Sequence, residues 1–249
     1  MTVLITGGTK GIGLAIARRL APVHGRVVLA YHSDEAAADD ARAEISALGA
    51  GVETVRCDVG TPEGAAALMA EIERQGHDGL SHIVHAAAMI YPTTLLGADL
   101  AKFRQAVETN GLSLLYLVHA AQGLLGRGSS VVFITSMGSR IPSPNYGALG
   151  VGKALAEAIV RYLVAELAPR GIRINGVAPG LVHTTSVAAM LGSEDAAQAA
   201  VDRAARTNPS GRESRDSDYA ALVEFLLGPE AEFIQGQVIA ATGGTGVIG

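Results

Sequence analysis

Short apolar runs alternate with longer stretches of helical period along this chain. Apolar, β-branched segments at 2–6, 26–31, 52–57, 80–87, 131–135, 171–178 and 237–241 predict strands. Between them, helices are predicted over 14–20, 34–48, 61–75, 100–125 and 146–169, the third opened by Thr61-Pro62-Glu63. Strand–helix alternation at this spacing implies right-handed crossovers and one parallel sheet of about seven strands. The expectation is an α/β, doubly wound sheet with helices on both faces and a single domain over 1–249. No repeat or linker interrupts it. Residues 183–212 break the rhythm: no strand pattern, many Ala, then Asn208-Pro209-Ser210-Gly211-Arg212. They follow the carboxyl end of the sixth strand, where ligands sit in open sheets. A substrate lid and an ordinary pair of surface helices are both open readings of them.

Composition narrows the setting. Of 249 residues, 49% are hydrophobic and only 17% charged, and the net charge is −5. Basic residues are scattered, with Arg18-Arg19 the only adjacent pair, so no nucleic-acid footprint is expected. Cys57 is the only cysteine and has no partner for an internal disulfide, which fits a reducing cytoplasm. No apolar run reaches the ~18 residues of a membrane span, and no basic leader precedes one. A soluble cytoplasmic protein is expected, with no membrane partner and no metal.

The densest chemistry lies between Ser136 and Lys153. Ser136 ends the fifth strand, and Ser143-Pro144-Asn145 is a turn opening the next helix. On that helix Tyr146 and Lys153 are two turns apart, so their side chains point the same way. A phenol normally loses its proton near pH 10. A lysine ammonium beside it favours the phenolate and lowers that value. The arrangement predicts a proton-delivery site, with a strand-end cap as the plainer reading of Ser136 and helix-start packing as that of Tyr146.

At the other end of the chain, Gly7-Gly8-Thr9-Lys10-Gly11-Ile12-Gly13 follows the first strand and opens a helix. Glycines let backbone approach a pyrophosphate, and a helix amino terminus offers unpaired N–H groups.

Together these motifs resemble the short-chain dehydrogenase/reductase family over nearly the whole length. The residues that carry the likeness are Thr6-Gly7 with Gly11-Ile12-Gly13, Asp58-Val59, Asn110, Ser136, Tyr146 with Lys153, and Pro179-Gly180 with Thr184. The resemblance implies a Rossmann-type fold and a nicotinamide cofactor. It implies that Thr6, Gly7, Thr9, Lys10, Gly11, Ile12 and Gly13 wrap the ribose and pyrophosphate. Asp58 and Val59 are implied to meet the adenine, Ala86 and Ala87 to line the adenosine side, and Pro179, Gly180, Val182 and Thr184 to hold the nicotinamide end. Lys153 is implied to hold the nicotinamide ribose, and Asn110 to organise a helix backbone and a water connected to Lys153.

One departure is informative. The family's usual tyrosine stands four before the lysine, but that position here is Leu149, and Tyr146 sits one turn earlier. Six residues between Tyr and Lys is similar to the enoyl-acyl-carrier-protein reductases of this family, especially their NADPH-dependent branch. One turn moves the phenol about 5 Å along the helix. Such a shift suits a thioester oxygen two carbons from the hydride acceptor. The resemblance therefore implies reduction of an enoyl thioester carried by acyl carrier protein or coenzyme A. A ketoreductase or alcohol dehydrogenase of a specialised biosynthetic pathway is the alternative, and a nucleotide-sensing pseudo-enzyme a third reading.

Three further expectations follow. No carboxylate precedes Asp34 at the end of strand two, and Lys10, His32 and Ser33 are placed to receive a 2′-phosphate, so NADPH is expected over NADH. His85, where the family carries an asparagine, is expected to be a plain strand residue rather than a substitute donor. His183 is expected to be a solvated surface group. The apolar helices at 100–125 and 146–168 imply, by resemblance, a homotetramer.

Overall fold

In the computed structural model of this chain, which describes residues 1–246, seven parallel strands form one sheet in the order β3-β2-β1-β4-β5-β6-β7. The strands are β1 (Thr2–Thr6), β2 (Arg26–Tyr31), β3 (Gly51–Arg56), β4 (Leu80–His85), β5 (Leu125–Ile134), β6 (Arg173–Pro179) and β7 (Val238–Ala241). Side chains alternate across the pleat: Leu4 packs with Phe133, Val160 and Ile174 on one face, while Val3 and Ile5 pack with Ile16, Leu20 and Val223 on the other. β1 is buried at every position, so its centre is apolar and its two end threonines, Thr2 and Thr6, are each hydrogen-bonded to a histidine.

Helices cover both faces. α1 (Gly11–Leu20), α2 (Glu35–Ser46) and α9 (Asp216–Leu227) take one; α3 (Pro62–Arg74), α5 (Ser113–Ala120) and α6 (Gly147–Leu167) take the other. α4 (Leu100–Val107) leads into α5, and α7 (Thr185–Leu191) and α8 (Glu194–Thr207) lie between β6 and α9. The chain winds outward from β1 to β3, then returns to β4 on the other side of β1. That reversal opens a crevice at the carboxyl ends of β1 and β4.

The helix expected over 100–125 forms as one uninterrupted helical run to Gly123, with a π turn inside it. α4 ends at Val107, a π turn spans Glu108–Leu112, α5 stops at Ala120, and β5 begins at Leu125. Tertiary contact overrides the helical period here. The extra residue in the turn brings Gly111 against α6, where a Cβ would stand 2.8 Å from the Gly152 carbonyl oxygen. A Cβ on Gly152 would in turn stand 2.7 Å from that of Asn110. Two glycines face each other because nothing larger fits. Elsewhere α1 begins at Gly11, inside the glycine loop, and β5 is longer than its apolar core suggested.

Candidate active site

A cavity of about 890 Å³ runs across the carboxyl edge of the sheet. Thr6, Gly7, Thr9, Lys10, Gly11, Ile12 and Gly13 form its floor beside β1, and His32, Ser33, Asp58 and Val59 close one end. Ala86 and Ala87 line the middle; Ser136, Tyr146, Lys153, Pro179, Gly180, Val182 and Thr184 line the far end. Every site residue expected from the sequence borders this one space except Asn110.

The floor fits a dinucleotide. Gly13 has no room for a side chain, since a Cβ would fall 2.1 Å from the Gly7 carbonyl oxygen. Lys10 at the helix N-cap supplies no side-chain acceptor, and the first turn of α1 holds no acid. Its leading N–H groups and positive dipole end therefore face the cavity uncompensated, as a phosphate requires.

Asn110 is fully buried and acts on backbone. Its Oδ1 accepts from Met89 N and its Nδ2 donates to Met89 O, both at 2.9 Å. Met89 and Ile90, which line the cavity, are thereby tied to the π turn. Through these bonds the side chain sets the cavity wall.

Tyr146 enters α6 from Asn145, whose φ of 58° lies in the left-handed region that asparagine tolerates. Burial raises the Tyr146 pKa, and the Ser136 hydroxyl pulls it back down. The expected lowering by Lys153 is not how the pair is arranged. Lys153 Nζ donates to Ile134 O at 2.7 Å and lies 4.4 Å from the Phe133 ring centroid. Its ammonium is thus held at the end of β5. Burial pushes Lys153 down to about 7, while Glu157 pulls it back up.

His85 is a substitute donor after all. It is fully buried, Nδ1 meets Thr6 Oγ1 at 2.6 Å, and Nε2 meets Ser113 Oγ at 2.7 Å. The Ser113 hydroxyl already donates to Thr109 O at 2.6 Å. Ser113 therefore accepts from His85 Nε2–H, and Nδ1 accepts from Thr6, which assigns the neutral tautomer. Burial holds His85 at about 3, with Lys153 adding to the effect. A strand pattern carries no sign of this tie, because both partners lie on other elements.

Lys10 donates to Asp34 Oδ2 at 2.5 Å, and Asp34 also caps α2 by accepting from Ala37 N. The carboxylate is held below its ordinary range by the Lys10 hydrogen bond. His183 pairs with Glu194 at 3.2 Å, away from the cavity. Thr184 caps α7 by accepting from Val187 N. Cys57 borders the cavity, but burial pushes its thiol up to about 12 and leaves it unreactive. Among the described residues no group of three metal-ligating side chains gathers, and no helix is long and apolar enough to cross a membrane.

A dinucleotide cradle, a Ser–Tyr–Lys cluster and a doubly wound sheet define a nicotinamide-dependent oxidoreductase. The model of the family described as Enoyl-(Acyl carrier protein) reductase matches residues 7–246. The 1-cyclohexenylcarbonyl-CoA reductase of Streptomyces collinus is 32% identical over 98% of this chain and 86% of its own. A short-chain dehydrogenase from Burkholderia cenocepacia, solved in complex with NADP, superposes with a TM-score of 0.87 at 29% identity, covering 98% of this chain and 97% of that one. A reductase that catalyses keto-reduction at C1 during lugdunomycin biosynthesis does so with a TM-score of 0.87 at 29% identity, covering 99% and 98%. The chain belongs to the short-chain dehydrogenase/reductase family, in its enoyl-reductase-like branch.

Proposed function

We propose that this chain reduces the carbon–carbon double bond of an enoyl thioester, with NADPH as cofactor. The observation that carries the reading is the placement of Tyr146 at the start of α6, two turns before Lys153, while Leu149 fills the position nearer the lysine. A nicotinamide held in the cradle would supply hydride chemistry at the β carbon. Tyr146 would stabilise the charge that then develops on the thioester oxygen by donating a hydrogen bond, and its phenol would supply the proton that ends on the α carbon. Ser136 orients the phenol. Lys153 holds the ribose hydroxyls and contributes positive charge, and Asn110 holds the Met89 wall.

Met137, Leu149, Leu181, Met190 and Leu191 make the far half of the cavity apolar, as an acyl chain requires. Residues 183–212, with α7 and α8, act in this reading as a lid within the same domain. Lys10, His32 and Ser33 at the closed end support NADPH, and the Lys10–Asp34 pair is the one feature that would also suit the 2′-hydroxyl of NADH. Tyr162, exposed to 81% on α6, and Val151 on the same helix support burial in a homotetramer. Presentation of the acyl group by a carrier protein, and a cytoplasmic setting, complete the proposal.

A second reading, carbonyl reduction, is favoured by the Ser136 hydroxyl acting on Tyr146 and by the likeness to the lugdunomycin reductase. Oxidation of NADPH with crotonyl and acetoacetyl thioesters side by side separates the two. Turnover with crotonyl alone is expected; turnover with acetoacetyl alone replaces the enoyl reading by the carbonyl one.

A further inference from the structure

Glu157 lies one turn beyond Lys153 on α6 and is buried, with its side chain only 6% exposed. A carboxylate in such a place costs several kcal/mol unless its oxygens are satisfied. Here they are. Thr135 Oγ1 donates to Oε1 at 2.8 Å, and Ser139 Oγ lies 2.6 Å from the same oxygen. Arg140 Nε donates to Oε2 at 3.1 Å. All three partners come from the connection between β5 and α6, the segment that carries Ser136. The Ser139 hydroxyl also lies 2.7 Å from Ser136 O and gives its single proton to one of the two oxygens at a time, while Thr135, next to Ser136, keeps its own bond to the carboxylate.

Lys153 needs what Glu157 has. Its ammonium is buried, with the single carbonyl of Ile134 as its hydrogen-bond partner among the described residues. The titratable groups around it are Glu157 and Tyr146 from α6, His85 from β4, and Arg140 beyond Glu157. His85 is neutral and Arg140 is a cation. Glu157 is the one anion in that set.

We propose that Glu157 is a positioning residue: its carboxylate supplies the counter-charge for the buried Lys153 ammonium and, through Ser139, fixes the Ser136 segment beside Tyr146. Neither effect requires Glu157 to touch substrate or cofactor. The inference rests on the catalytic reading of Tyr146, Ser136 and Lys153 given above.

The chain has three lysines, Lys10, Lys102 and Lys153, so a ¹³Cε-lysine NMR titration of the cofactor-free protein reads Lys153 directly. In the native protein Lys153 is expected to titrate near 7, lowered by burial. Glu157→Gln is expected to move that titration down by about one pH unit. The high-pH limb of kcat/KM should move with it. Arg140→Gln, which removes a cation from the same carboxylate, moves it upward or leaves it in place. Ser139→Ala keeps the charge but loses the tether, so kcat falls about tenfold with the KM for NADPH and the Lys153 titration unchanged. That variant remains a test where Glu157→Gln does not fold, and full kcat in it overturns the tether. An unmoved Lys153 titration in folded Glu157→Gln overturns the counter-charge. Tyr146→Phe separates the two levels: retained turnover there removes the catalytic reading while leaving the titration result to stand by itself.

Discussion

The Tyr146 ring is in close contact with the α carbon of Gly138: a Cβ at that position would come within 2.3 Å of Cε1 and 2.6 Å of Cδ1. The glycine is thus the surface on which the phenol rests, and the turn that follows Ser136 positions the tyrosine as much as α6 does. Gly138→Ala must push the ring aside, since the opposing atoms belong to a rigid, half-buried aromatic. A displacement of about 1 Å is expected to lower kcat/KM by about 100-fold while NADPH binding is kept. Steady-state kinetics beside cofactor fluorescence titration checks this; unchanged kcat/KM would remove the phenol's position from the mechanism.

Lys10 and Asp34 pair at the end of the cavity where the 2′ group of the proposed cofactor would lie. Lys10→Ala removes the cation available to a 2′-phosphate and should raise the KM for NADPH about tenfold, with little change for NADH. Asp34→Asn frees Lys10 and should increase the preference for NADPH. If neither substitution changes the ratio of kcat/KM values for the two cofactors, the 2′ position is read by other groups.

Asn110 satisfies both backbone polar atoms of Met89 inside the protein. Asn110→Ala leaves that N–H and C=O without partners, and a loss of about 2–3 kcal/mol in unfolding free energy is expected. Activity should fall as well, because Met89 and Ile90 form the cavity wall. Urea denaturation followed by circular dichroism gives the first quantity. A cost near zero would mean that water replaces the amide without difficulty.

Acid should unfold this protein through its buried histidines. Burial holds both His82 and His85 at about 3, well below the ordinary histidine value of about 6.5. A folded-state pKa below the unfolded one means that the unfolded chain binds more protons between the two. Stability is therefore fully present above about pH 6.5 and is lost as the pH falls toward 3, by up to about 1.4 kcal/mol per pH unit for each histidine. His82 has no partner for its buried Nδ1 and stacks edge-on against His24, so a proton there finds no acceptor. His85→Asn should flatten the dependence of the urea midpoint between pH 6.5 and 4.5. An equal slope in native and variant protein assigns the acid sensitivity elsewhere.

The sequence by itself determined the parallel α/β sheet, the glycine-loop cradle and the order Ser136, Tyr146, Lys153. These are local properties. A strand buried on both faces must be apolar, a phosphate loop must lack side chains, and two turns of helix bring Tyr146 and Lys153 to one side. Twenty residues named from these patterns and from the family resemblance do border one cavity. What the tertiary structure decided were partners chosen across elements. The 100–125 helix took a π turn around Asn110, where Gly111 meets Gly152 on α6. His85 became a bridge between Thr6 and Ser113, Lys10 found Asp34, and Lys153 turned to Ile134 with Glu157 behind it. Hydrophobic period places a residue on a face but says nothing of which polar atom waits there. For a buried polar group that partner is what sets its protonation and its role, because burial makes an unpaired charge or hydrogen bond too costly to keep.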